Sequence, residues 1–150
     1  MNVFVDSTTL LYTLDPTDAA KRARCVTWLK SLRLLGALTM NLQVLNETYW
    51  VVSRKPAFGE ARGGIRAHLG DYAIWTTAPL NVETLVAGWR LQDRFQVSFW
   101  DALLLASANA AGCAFFLSED LNDSQVYGGV RVIDPFRHAP ADVLGRALSR

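Results

Sequence analysis

The sequence has little with which to staple itself, cross a membrane or grip a polyanion wholesale. Its two cysteines, Cys25 and Cys113, lie far apart in apolar surroundings and lack metal-site spacing. They are expected to pack as small, reduced hydrophobes. The two histidines, His68 and His138, stand in no Cys or His cluster, so nothing points to zinc. Both read as surface residues. The longest nearly apolar stretch, Ala102 to Leu117, contains Asn109 and falls short of the ~20 residues a membrane helix needs. No basic region precedes the first apolar residues, and Asn2-Val3-Phe4-Val5 already reads as a strand. A cytoplasmic protein without a cleaved signal is expected, with no membrane partner. Lysine is scarce too, three against 12 arginines, and the net charge is only +1. That balance gives no global attraction to nucleic acid or membranes and leaves binding to local patches. An Arg- and Ala-rich genome accounts for the ratio.

What is present is ordinary globular composition, 51% hydrophobic and 19% charged over 150 residues. That length supports a single domain, 1–150, with a sizeable core. The stretch from Phe99 to Asp120 organises the chain. It reads as a helix from Ser98 to Gly112, where a left-handed residue ends it, followed by the wholly apolar strand Ala114-Phe115-Phe116-Leu117. Before it, Val3-Phe4-Val5, Ala37-Leu38-Thr39-Met40 and Ala73-Ile74-Trp75-Thr76 read as strands, and Val130-Arg131-Val132-Ile133 follows as the last. Helices are expected from Ser7 to Tyr12, Asp18 to Leu35, Leu42 to Arg54, Glu60 to Gly70 and Val82 to Phe95, and a terminal one from Ala139. In the second of these, Lys21, Arg22 and Arg24 face outward, and Cys25, Val26, Leu29 and Leu32 face a core. Residues 121–129 read as a polar loop. Alternating short strands and helices predict a three-layer α/β/α fold around a central, mostly parallel sheet of about five strands.

Four carboxylates stand out. Asp6 and Asp120 follow the first and fourth strands, at the carboxyl edge where open α/β sheets bind ligands. Glu47 projects from an apolar stripe of Val44, Trp50 and Val51, and Asp101 from one of Val97, Leu104 and Leu105. A carboxylate facing inward needs a partner, because an isolated buried charge costs several kcal/mol. Those stripes carry no Lys or Arg; a divalent cation would pair several such groups at once. Each acid also has a plain reading as a helix cap or fringe residue, Asp101 being three residues after Ser98. Together they are harder to explain as separate accidents.

At these residues the chain resembles the PIN domains, and within them the VapC-type toxins of toxin–antitoxin pairs. The matching pieces are Val3-Phe4-Val5-Asp6-Ser7, Asn46-Glu47, Trp100-Asp101-Ala102-Leu103, Leu117-Ser118-Glu119-Asp120-Leu121 and the closing Val130-Arg131-Val132-Ile133-Asp134-Pro135-Phe136. The resemblance spans residues 1 to about 137. It implies an acidic pocket that binds Mg²⁺ or Mn²⁺ and cleaves RNA, with Asp6, Glu47, Asp101 and Asp120 as its quartet. Asp6, Asp101 and Asp120 would hold metal, Glu47 would hold or deprotonate a water, Ser7 and Ser118 would orient carboxylates, and Asp123 would be a further acid. It also implies a cognate antitoxin and a homodimer. This chain has Ser124 where the usual loop has Gly.

Two other classes compete. A phosphoacceptor receiver domain needs a late lysine, and the last here is Lys55. A catalytically silent PIN-fold protein-binding module would keep the fold without the chemistry. Arg54, Lys55, Arg62 and Arg66, and the pair Arg90 and Arg94, are sites for phosphate contacts or plain solvated faces. Trp28 and Trp50 are placed along an apolar groove for a partner peptide, with core packing as the default.

Overall fold

The computed structural model describes residues 1–58 and 62–148, without the side chains of Ala57, Arg62 and residues 146–148. The expected break at Gly59, the helix start at Glu60 and the Arg62 side chain lie outside the described residues. The sheet has five strands in the order β2-β1-β3-β5-β4: β1 Val3–Val5, β2 Leu38–Thr39, β3 Phe115–Leu117, β4 Val126–Tyr127 and β5 Val130–Ile133. Every pairing is parallel except β4 with β5. β1 and β3 lie in register, Phe4 opposite Phe116, and their rings stack at 5.2 Å. β1 is buried throughout, as a strand covered on both faces must be.

The helices are α1 Ser7–Tyr12, α2 Ala19–Leu34, α3 Leu42–Val52, α4 Arg62–Gly70, α5 Val82–Phe95, α6 Phe99–Ala110 and α7 Pro140–Leu148. Most begin on the side-chain caps that the sequence offers: Asp6, Asp18, Asn41, Asn81 and Ser98 each accept a backbone N–H of the first turn. Gly112 takes the left-handed conformation after α6 (φ +71°), which turns the chain directly into β3. Among the described residues no helix is long and apolar enough to cross a membrane. Cys25 and Cys113 are both buried and free, as expected; burial pushes the Cys25 thiol up to about 12.

Three expectations are corrected. Residues 73–76 are not a strand: Ala73–Trp75 form a 3₁₀ turn. Trp75 N–H bonds to Tyr72 O, and Met40 N–H reaches Trp75 O at 2.9 Å, so the segment flanks the sheet edge without joining it. Ile74 is 74% exposed; its apolar character served no burial. Conversely, β4 arises inside the expected polar loop, because Gly128-Gly129 closes a two-residue hairpin that pairs Tyr127 with Val130. In α2, Val26 faces solvent and Trp28 takes the core position beside Cys25, Leu29 and Leu32. The Trp28 indole N–H donates to Pro135 O and His138 O, which ties α2 to the chain's end. Trp28 therefore lines no partner groove.

Candidate active site

β1 and β3 run parallel and adjacent, so the residues leaving their carboxyl ends arrive side by side. Asp6 caps α1, its Oδ1 accepting Thr9 N–H at 2.9 Å, and is only 5% exposed. Ser118 leaves β3 buried; its Oγ accepts Asp120 N–H at 3.1 Å. Asp120 itself is exposed, and the Thr8 hydroxyl donates to its Oδ2 at 2.9 Å. Across from α1, the Ser7 hydroxyl donates to Glu47 Oε2 at 2.8 Å, and Gln43, one turn earlier on α3, donates to Oε1 at 2.9 Å. Asp101 sits half-buried in the first turn of α6, its N–H bound to the capping Ser98 Oγ.

Electrostatics link the four. Burial raises the Asp6 carboxyl, hydrogen bonds from Ser118 and Thr9 favour the anion, and the nearby Asp120 adds an upward push, which together leave it at about 7. Burial likewise raises Asp101, with Asp120 and Glu47 adding repulsion. Asp120 is thus felt at both Asp6 and Asp101, and Glu47 at Asp101. Among the described residues none of the four stands in an ion pair. Their hydroxyl and amide donors orient them, but no cation balances them. Nor are three His, Cys, Asp or Glu side chains, among the described residues, gathered closely enough to hold a metal ion. Thr8 holds Asp120, and Ser7 with Gln43 holds Glu47, on separate anchors.

The expected further acid, Asp123, has partners of its own beside this set. Its Oδ1 accepts Asp134 N–H at 2.9 Å and its Oδ2 lies 2.8 Å from His138 Nε2. Burial works against ionisation there, but the Asp134 amide and His138 outweigh it and hold the carboxyl below its usual range. Asp123 shares a polar groove of about 470 Å³ with Glu119, Asp120 and Asp134. Neither histidine is the plain surface residue expected: both are half-buried, and His138 has this carboxylate partner. Ser124 takes a left-handed conformation (φ +68°), held by its N–H to Val132 O and by Arg131 on its carbonyl. The loop keeps the geometry for which glycine is the easier residue.

Several neighbours were not legible. Thr8 and Gln43 are ordinary polar residues until the fold sets them against Asp120 and Glu47; Gln43 at i−4 from Glu47 was the available signal. Lys21 was expected outside, yet its ammonium pairs with Glu119 at 3.1 Å, bonds the Tyr12 hydroxyl at 3.2 Å and lies over the Tyr12 and Phe136 rings. The Tyr12 hydroxyl also donates to Glu119. This clamp anchors the residue between Ser118 and Asp120. Beside the site, α1 and α3 flank a groove of about 590 Å³ lined by Ser7, Leu11, Glu47 and Trp50. Trp50 is 59% exposed there, with the Arg54 guanidinium stacked 3.4 Å from its ring centre.

The family model of the PIN domain matches residues 3–128 of this chain. The chain belongs to the PIN domain family. As a PIN domain it has solved relatives by fold. The FitAcB structure from Neisseria gonorrhoeae shares 14% identity with a TM-score of 0.61, over 91% of this chain and 99% of that one. VapBC2 from Rickettsia felis, bound to a DNA fragment from their promoter, shares 11% with a TM-score of 0.60, over 88% and 97%. VapC20 of Mycobacterium tuberculosis, a sarcin–ricin loop cleaving toxin, shares 17% with a TM-score of 0.57, over 87% and 99%. At these identities the likeness is one of fold. No curated protein matches the chain by sequence.

Proposed function

We propose that this PIN domain is a metal-dependent endoribonuclease, the VapC-type toxin of a toxin–antitoxin pair, with Mg²⁺ or Mn²⁺ as its ion. One observation carries the reading: Asp6, Glu47, Asp101 and Asp120 stand in electrostatic contact at the sheet's carboxyl edge, with oriented donors and, among the described residues, no Lys, Arg or His paired with them. The donor set fits a hard ion, being oxygen throughout with neither thiolate nor imidazole. That no three ligands are pre-gathered among the described residues is compatible with Mg²⁺, which is usually held by one or two carboxylates with waters and substrate phosphates completing its shell.

Asp6 and Asp101 are the assigned ligands, and Asp120 completes or shares the site. Such an ion, when bound, lowers the pKa of a water and neutralises charge on the phosphate. The chain's own residues do the rest. Ser118 and the Thr9 amide fix the Asp6 carboxylate, and Thr8 and the Ser118 hydroxyl fix Asp120. Glu47, steadied by Ser7 and Gln43, would hold or deprotonate the attacking water. The groove with Trp50 and Leu11 offers an apolar seat for a cognate antitoxin, and we assign the working state to a homodimer. A fold shared with a sarcin–ricin loop cleaving toxin supports this substrate class.

The test is RNA cleavage by the purified chain in Mg²⁺ and in excess EDTA. Cleavage is expected with Mg²⁺, to be lost in EDTA and restored by adding the ion back. Undiminished cleavage in EDTA overturns the reading. No cleavage in either buffer leaves the silent binding module as the account of the fold.

A further inference from the structure

A separate cavity, of about 370 Å³, opens between α2 and the end of α4 and contains none of the residues of the candidate active site. Its walls carry Arg22, Lys30 and Arg33 from α2 and His68 from α4, and among the described residues no carboxylate lines it. Arg22, Val26, Leu29, Lys30 and Arg33 follow one another at helical spacing, so one face of α2 supplies an apolar floor with a cationic rim. This is why Val26 faces outward.

The cations are short of partners. Among the described residues neither the Arg22 nor the Lys30 side chain has an ion pair or hydrogen bond. The Arg33 guanidinium lies 4.5 Å over the Tyr72 ring, which positions it without neutralising it. Independently, His68 Nε2 is buried without a hydrogen-bond partner. A buried polar nitrogen left unpaired is costly, and native folds rarely keep one without reason. Three cations rim one cavity that His68 also lines, a setting that suits an anion with several oxygens.

We propose that this cavity binds a phosphate group, either free phosphate or the phosphomonoester of a small organic molecule. A phosphate dianion balances more of the rim than a single carboxylate does, and guanidinium forks take its oxygens in pairs. The volume lies at the lower end of small-molecule pockets and exceeds what phosphate alone fills. The Val26 and Leu29 floor can cover an apolar portion of the carrier. The site does not depend on the nuclease reading, and its test is independent of RNA cleavage.

The two histidines make the test simple. Long-range ¹H–¹⁵N spectra of the labelled protein separate the His68 and His138 rings. Sodium phosphate, adenosine 5′-monophosphate and adenosine are titrated at fixed pH and ionic strength, with chloride as the control anion. Phosphate is expected to move the His68 resonances saturably and to leave His138, engaged with Asp123, in place. In the Arg22→Gln/Lys30→Gln variant, whose changed side chains are exposed, the dissociation constant should rise at least about tenfold, with the starting His68 spectrum unchanged. Tighter binding of the nucleotide than of phosphate assigns an organic carrier; equal binding assigns free phosphate. No saturable His68 shift, an equal shift with chloride or adenosine, or equal affinity in the variant overturns the proposal.

Discussion

Asp6→Asn and Asp101→Asn should each abolish RNA cleavage, with losses beyond the ~10- to 100-fold typical of removing a group that merely supports a ligand. Both variants should stay folded. Asn accepts the Thr9 amide as Asp does, so α1 keeps its cap, and α6 is capped by Ser98 rather than by the Asp101 side chain. Ser7→Ala is the graded comparison. It removes the hydroxyl that steadies Glu47 at 2.8 Å while Gln43 still holds the other oxygen. Its loss should fall inside that 10- to 100-fold range. Rates are to be measured on one RNA, with circular dichroism confirming the fold. If either Asn variant cleaves at the wild-type rate, the assigned ligand is wrong.

The second large effect is on stability, and its sign runs against the usual expectation for charged groups. The Asp6 carboxyl titrates near 3.8 unfolded and about 7 folded. Because the folded value is the higher one, the native state keeps a proton that the unfolded state has released across that interval. The stability this lends is complete below about pH 3.8 and lost as pH rises to about 7, on the order of 4 kcal/mol. Burial of Asp101 acts in the same direction. The metal-free protein should therefore melt several degrees lower at pH 8 than at pH 5. Asp6→Asn removes the charge and keeps the cap. In EDTA it should melt above wild type at pH 8 and level with it near pH 4. Saturating Mg²⁺ should reverse the order at pH 8, because an ion bound only by native wild type stabilises it by mass action. Asp15 and Asp123 are held low, so they shape the curve below pH 4 in both proteins and cancel in the difference. A variant less stable than wild type at every pH would leave Asp6 as a helix cap alone.

The two central strands were legible because their residues are apolar and mostly buried. Val3–Val5 and Phe115–Leu117 are short unbroken apolar runs, and both pair in parallel inside the sheet. Ala73–Trp75 has the same look but coils into a 3₁₀ turn beside the sheet edge, and composition alone cannot separate an apolar flank from a strand. Val126–Tyr127 went unseen because two residues carry no periodicity; the Gly128-Gly129 turn made the strand. In α2 the helical spacing holds but one position differs: Trp28 takes the core place expected of Val26. The carboxylates were legible for a different reason, each interrupting an apolar or strand-end context. Their orienting partners Thr8 and Gln43 were not, since a polar residue near the surface carries no signal until the fold supplies its neighbour. The pairing of Asp123 with His138, residues 15 apart, was invisible for the same reason.

The central claim is that four carboxylates at one sheet edge form a single divalent-cation site, and Mn²⁺ binding tests it without any assumption about substrate. Free Mn²⁺ is read from its electron paramagnetic resonance signal as the ion is added to wild type and to Asp101→Asn at pH 7.5. The account predicts saturable binding by wild type that Mg²⁺ competes away, and at least about tenfold weaker binding once Asp101 loses its charge. Equal binding by the two proteins, or no saturable binding by wild type, would contradict it.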